Sequence, residues 1–174
     1  MALRPSGFIA VPPGRAPGFD HADVYRAGGR VYVAHTGADR VDVIDARGRR
    51  YLRALPDLPG VAGVLIDQEH DLLFTSDRDC ARVSVFRCSD ERLLGRVAVG
   101  PRPNGLAYDP GRRRLVVFNI GEPGVVQVVD AGRFRTEEVV RTEAGAHTTA
   151  WDADRRALYV FCPASRGAAV YAER

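Results

Sequence analysis

The feature that most constrains this chain is an internal repeat of about 42 residues, present four times in a sequence of 174. The four copies run from Asp23 to Asp45, Gly63 to Arg87, Gly105 to Asp130 and Thr149 to Ala172. Two landmarks share the period. Val31, Leu72, Leu115 and Leu158 are spaced by 41, 43 and 43 residues, and Val43, Val85, Val128 and Val170 by 42, 43 and 42. A unit of this size cannot bury an apolar face alone, so its copies must stack and share a core.

Within each copy, short runs rich in valine, tyrosine and phenylalanine alternate with glycine, proline and aspartate. In the third copy the runs are 105–108, 115–118, 125–129 and 135–142, broken at Asp109-Pro110-Gly111 and Ile120-Gly121-Glu122-Pro123-Gly124. This is the hairpin signature, and no stretch sustains the 3.6-residue period of an amphipathic helix. Four antiparallel strands per unit of 40–45 residues is the pattern of a propeller blade. The expected fold is therefore all-β: a β-propeller of about four blades of four antiparallel strands, in one domain over residues 1–174. The blades are expected near 20–60, 61–103, 104–146 and 147–174.

The fourth copy supplies only three strands. A spare apolar run, Gly7-Phe8-Ile9-Ala10-Val11, is expected to supply the last and so remove an open edge. Four copies are few for a ring. The sequence admits a closed four-bladed monomer, two half-rings completing each other as a homodimer, or a shortened relative of a longer propeller.

Val99-Gly-Pro-Arg-Pro-Asn-Gly-Leu-Ala-Tyr-Asp-Pro-Gly111, followed by Leu115-Val-Val-Phe-Asn119 and Val126-Gln-Val-Val-Asp130, resembles the YVTN family of propeller repeats. Tyr32-Val-Ala-His35 with Val43-Ile-Asp45 is similar to the same motif, and the second and fourth copies match it less closely. The resemblance implies a larger ring of the quinoprotein-dehydrogenase-like type and a role as a binding scaffold, and it is poor in information about chemistry. Pro103-Asn104-Gly105 also resembles a segment of gluconolactonase- and regucalcin-type propellers, which implies a metal-ligand role for Asn104.

Composition removes several classes of function. All 25 basic residues are arginine, the net charge is +3, and the densest groups, Arg112-Arg113-Arg114 and Arg155-Arg156, fall at expected turns. A nucleic-acid partner would require basic residues on one face with stacking aromatics between them, so none is expected. No apolar run approaches the ~20 residues of a membrane span, and residues 1–7 lack a secretory core, so a cytoplasmic protein without membrane contact is expected. Cys80, Cys88 and Cys162 show neither disulfide nor zinc spacing and are expected as free thiols. Nucleophile-elbow, dinucleotide and phosphate-loop motifs are absent from the sequence.

In a propeller the innermost strands line a central channel. The residues expected to open those strands are His21, Ala62, Asn104 and His147. Two of the chain's four histidines fall here, so His21, Asn104 and His147 are the candidate ligand-binding residues at the channel mouth. Neutral imidazoles and an amide oxygen can also hold a divalent metal ion, with Asp20 or Asp23 adding charge. Two functions follow: a non-catalytic platform for a small molecule or protein, or a metal-dependent hydrolase of the lactonase type using His21, Asn104 and His147. A remnant of a longer propeller without independent activity is a third. Asp77-Arg78-Asp79 reads as a solvated acidic turn, His35 and His70 as paired or solvated, and Leu65, Tyr108 and Trp151 as equivalent packing residues between blades.

Overall fold

The computed structural model describes residues 4–121, 124–143, 146, 148–152 and 154–172. The β-branched and aromatic runs become fifteen strands, arranged as four separate antiparallel sheets in chain order. The first sheet holds β1 (Ala22–Tyr25), β2 (Arg30–His35), β3 (Arg40–Asp45) and β4 (Arg50–Leu55). The second holds β5 (Val61–Asp67), β6 (Leu72–Asp77), β7 (Arg82–Arg87) and β8 (Leu93–Ala98). The third holds β9 (Pro103–Asp109), β10 (Arg114–Asn119), β11 (Val125–Asp130) and β12 (Arg135–Arg141). The fourth holds β13 (Thr148–Asp152), β14 (Ala157–Cys162) and β15 (Gly167–Ala172). No α-helix occurs among the described residues, and none of their helical turns is long and apolar enough to cross a membrane.

Aspartates close the hairpins. Asp109 accepts the backbone N–H of Arg112 at 3.3 Å, and Asp152 that of Arg155 at 3.0 Å. The residue after each of those arginines, Arg113 or Arg156, takes a left-handed backbone with φ of 54° or 53°. Such turns face water, which is why Arg112-Arg113 and Arg155-Arg156 are tolerated there.

The pleat sends alternate side chains to opposite faces, and each pair of neighbouring sheets shares one apolar cluster. Tyr32, Val41 and Val43 of the first sheet meet Val61, Val64, Ile66 and Leu73 of the second. Phe74, Val83 and Val85 then meet Leu115, Val117 and Val129 of the third, whose Val116, Phe118 and Val126 meet Leu158 and Val160 of the fourth. Innermost strands pack on innermost strands, β1 on β5, β5 on β9 and β9 on β13.

Strand pairing corrects the repeat alignment by one residue in the second copy. The pairs Val24–Val31, Ile66–Leu73, Tyr108–Leu115 and Trp151–Leu158 are equivalent, so Leu73 and Ile66 replace Leu72 and Leu65. The reason is burial on both faces. Leu72 packs toward the third sheet and Leu73 toward the first, so the run has no polar alternation to set its register.

The expected closing strand is not formed. Residues 7–11 belong to no strand, and β13–β15 make a three-stranded sheet among the described residues. The segment lies along the first sheet instead. Arg49 donates to the Ser6 carbonyl at 3.1 Å, Arg40 donates to that of Pro12, and the Ala16 N–H donates to Gly37 O at 3.1 Å.

Candidate functional site

The inner strands open side by side, which brings residues 20–21, 61–63 and 103–104 to one end of the stack. The residues four positions before Val24, Ile66 and Tyr108 are Asp20, Ala62 and Asn104. Asp20, rather than His21, therefore holds the repeat position of Asn104, and His21 follows it. His147 lies outside the described residues.

A hydrogen-bonded chain joins these openings. The His21 backbone N–H donates to Ala62 O at 3.2 Å, and its Nδ1 lies 3.3 Å from the same oxygen. Ser76, at the upper end of β6, donates its hydroxyl to Asn104 O at 2.7 Å and accepts the Gly63 N–H at 2.7 Å. Glycine is required at position 63, because a Cβ there would meet Asn104 O at 2.5 Å and Ser76 Oγ at 2.7 Å. The Thr36 hydroxyl donates to Val61 O at 2.6 Å, so the first sheet also holds the opening of β5.

Charge at this mouth is organised by Asp20. One of its carboxylate oxygens lies 2.9 Å from His21 Nδ1, and the other accepts from the Arg78 guanidinium at 2.7 Å. Two polar groups are left over. Asn104 is buried, and its Oδ1 has no hydrogen-bond partner among the described residues, nor does the buried Arg78 Nε. Both atoms are buried, so a ligand reaches them only where the inner strands yield at the mouth. The described part of the mouth suits a metal ion poorly: Asp20 is taken up by Arg78 and His21, and the guanidinium opposes added positive charge. No group of three or more His, Cys, Asp or Glu side chains that could hold a metal occurs among the described residues.

Behind the mouth, three sheets repeat a buried polar pair between their second and third strands. His35 Nδ1 lies 2.7 Å from Asp42, which also accepts from Arg40 Nε at 2.8 Å, and the Phe19 ring packs over His35 at 4.3 Å. Asp77 accepts from Thr75, Arg82 and Ser84 at 2.9, 2.8 and 2.7 Å. Asn119 donates to Gln127 Oε1 at 3.0 Å. Burial raises the Asp77 carboxyl above the ordinary range, while bonds from Arg82, Ser84 and Thr75 act against the rise. Asp77 is therefore not the solvated turn residue expected from the sequence but a buried anchor of its hairpin. His70 sits at a turn and pairs with Asp67 at 2.6 Å. A separate recess of about 770 Å³ lies between the third and fourth sheets, lined in part by Val126, Val140, Trp151 and Tyr171.

Sequence reasoning singled out His21 and Asn104 but passed over Ser76 and Arg78. A serine or arginine beside a turn carries no mark in the sequence that separates a bridge between sheets from a solvated side chain.

No protein-family model matches this sequence, and no curated protein matches it. Its likenesses are to solved structures. The "putative 6-phosphogluconolactonase" of Bacteroides uniformis superposes with a TM-score of 0.78 at 13% identity, over 91% of this chain and 51% of that one. The corresponding Bacteroides fragilis protein gives 0.77 at 14%, with the same coverage. Hydrazine synthase of Kuenenia stuttgartiensis gives 0.77 at 18%, over 84% of this chain and 42% of its own. The fold is a β-propeller of about four blades. At these identities the likeness is one of fold alone, and the blades span about half the length of the chains they match.

Proposed function

We propose that this YVTN-type propeller is a binding platform whose channel mouth takes a small polyhydroxylated ligand. The observation that carries the reading is Asn104 Oδ1, buried at the opening of β9 without a partner among the described residues. An unmet buried acceptor costs about 1–3 kcal/mol, a cost removed when a ligand hydroxyl donates to it. Arg78 Nε offers the complementary donor, and a sugar acid or lactone carries both kinds of group.

A second reading is hydrolysis of such a ligand, favoured by the likeness to proteins described as 6-phosphogluconolactonases. In it His21, Asn104 and His147 would hold a divalent ion that polarises the lactone carbonyl. The Arg78–Asp20 pair weighs against that use of the mouth.

The test is calorimetry of the protein and of Asn104→Leu with D-gluconate and D-gluconolactone, while lactone consumption is followed in parallel. The platform reading requires a measurable Kd for one probe, weakened at least about tenfold by the substitution, with lactone consumed no faster than by its uncatalysed hydrolysis. Equal affinity of both proteins, or no binding of either probe, contradicts it. Lactone turnover that needs added metal and is lost in His21→Ala establishes the hydrolase instead.

A further inference from the structure

The two ends of the blade stack are built like its interior and are left uncovered. Phe118 and Phe161 hold the same repeat position on the face that looks toward the following blade. Phe118 is 0% exposed and Phe161 48%. Val43 and Val170 are likewise equivalent, at 0% and 56%. On the opposite end, Val24 is equivalent to Ile66, and the two are 44% and 8% exposed. Blade 4 therefore presents an apolar face that expects a following blade, and blade 1 one that expects a preceding blade.

The N-terminal segment repeats the path of an outer strand whose own blade is elsewhere. Arg82 donates to the carbonyl of Asp57, in the linker after β4, at 2.7 Å. Its repeat equivalent, Arg40, makes the same bond to the Pro12 carbonyl. The turn after the second strand bonds to the incoming linker in the same way each time, Gly37 N–H to Gly18 O, Asp79 N–H to Pro59 O and Gly121 N–H to Pro101 O. Residues 7–11 thus lie where the fourth strand of a blade preceding blade 1 would lie, with Phe8 92% exposed. The sheet short of a fourth strand among the described residues is that of blade 4, at the far end of the same stack.

We propose that a second copy of this chain completes the propeller as a closed ring of eight blades. In it, β13–β15 of each copy stack on blade 1 of the other and take that copy's residues 7–11 as a fourth strand. With a TM-score of 0.78 over 91% of this chain, the four blades superpose on 51% of a longer neighbouring chain, so they stack as part of a larger structure does. Both interfaces of such a pair are equivalent under a two-fold axis, which closes the assembly without open edges. The channel mouth would then be lined twice over by Asp20, His21, Ala62 and Asn104. This inference stands apart from the ligand reading, since it rests on the stack ends and not on the mouth.

Native mass spectrometry of the full chain tests it. The expected species is a dimer at twice the 19.0 kDa protomer mass. Phe161→Glu and Val24→Glu each alter a side chain already exposed in the protomer, so both should give a 19.0 kDa species with an unchanged circular dichroism spectrum. The strand contribution is tested by Phe8→Pro combined with Ile9→Pro. Proline removes the N–H donor, and two adjacent sites cover both sides of the strand. This variant should weaken the dimer at least about tenfold in Kd, roughly the effect of losing one or two hydrogen bonds. A wild-type protomer at 19.0 kDa, a ladder of larger open oligomers, or a Phe161→Glu dimer as stable as wild type overturns the proposal. A double-proline dimer of unchanged affinity overturns the exchanged strand.

Discussion

The second and fourth blades derive from the same repeat, yet burial treats them differently. All six residues of β6 are buried, and Leu72 and Leu73 pack toward opposite neighbours. In the fourth blade Leu158 and Val160 are buried against the third, while Phe161 and Val170 face outward. The contrast teaches that burial in a stacked repeat belongs to the pair of neighbours rather than to the residue. An apolar side chain at a repeat position is a statement about a blade that should lie beside it.

The sharpest way to break this comparison is to truncate the same position in two blades. Phe118→Ala should cost about 3–5 kcal/mol, the usual loss for a buried phenylalanine. Phe161→Ala should cost less than about 1 kcal/mol in a Val24→Glu background that holds the protomer alone. Urea unfolding of both variants decides it, and equal costs would mean that the outer face of blade 4 is already covered within one chain.

A smaller effect is expected at the contact between the second and third blades. Gly63→Ala places a methyl against Asn104 O and Ser76 Oγ, and overpacking of this kind costs about 1–3 kcal/mol. Thermal melting should show the loss. An unaffected melting temperature would indicate that the inner strands yield at the mouth.

Carboxylates in the two environments should respond to pH with opposite signs. Backbone N–H groups at the turns hold Asp45 and Asp152 below the ordinary range, led by those of Gly48 and Arg155 respectively. The stability they contribute is present above the unfolded value of about 3.9 and is lost as pH falls through their depressed values. Asp77, raised by burial, contributes most below about 3.9 and loses that contribution as pH rises through its folded value. Asp45→Asn should therefore flatten the acid side of the stability profile, and Asp77→Asn should change its slope in the opposite direction. Chemical denaturation across pH measures both, and slopes of the same sign would contradict the burial of Asp77.

The mildest test concerns thiols. Burial pushes the Cys88 thiol up to about 12, whereas Cys80 is exposed beside a turn. A thiol reagent near neutral pH should label Cys80 promptly and leave Cys88 untouched until the chain unfolds. Prompt labelling of Cys88 would show that the first two blades part readily.

Most of the architecture was legible because the repeat gave each element several independent copies. The breaks between apolar runs placed Arg112-Arg113 and Arg155-Arg156 at turns, with Arg114 instead opening β10, and Tyr108 and Trp151 do pack between blades. The register at Leu72-Leu73 was not legible, since a strand buried on both faces has no polar alternation to mark its pleat. Asp77 was misread because a carboxylate beside a turn is ordinarily solvated, and its partners Thr75, Arg82 and Ser84 converge on it only once β6 and β7 pair. Residues 7–11 were legible as a spare apolar run, but not their place along the first sheet, which Arg40 and Arg49 fix through the flanking carbonyls of Pro12 and Ser6. At the mouth, residue type pointed to His21 and Asn104, whereas Ser76 and Arg78 emerge only from the bonds that join one blade to the next.

Hydrogen exchange along β15 tests the paired ring most directly. Among the described residues its outer edge pairs with no strand in the protomer, and a partner's strand covers it in the ring. Amides of β15 are expected to exchange as slowly as those of β7, an interior strand paired on both sides. Amides on the outer edge of β15 that exchange as fast as those of an open edge, at concentrations where the dimer should be complete, would contradict it.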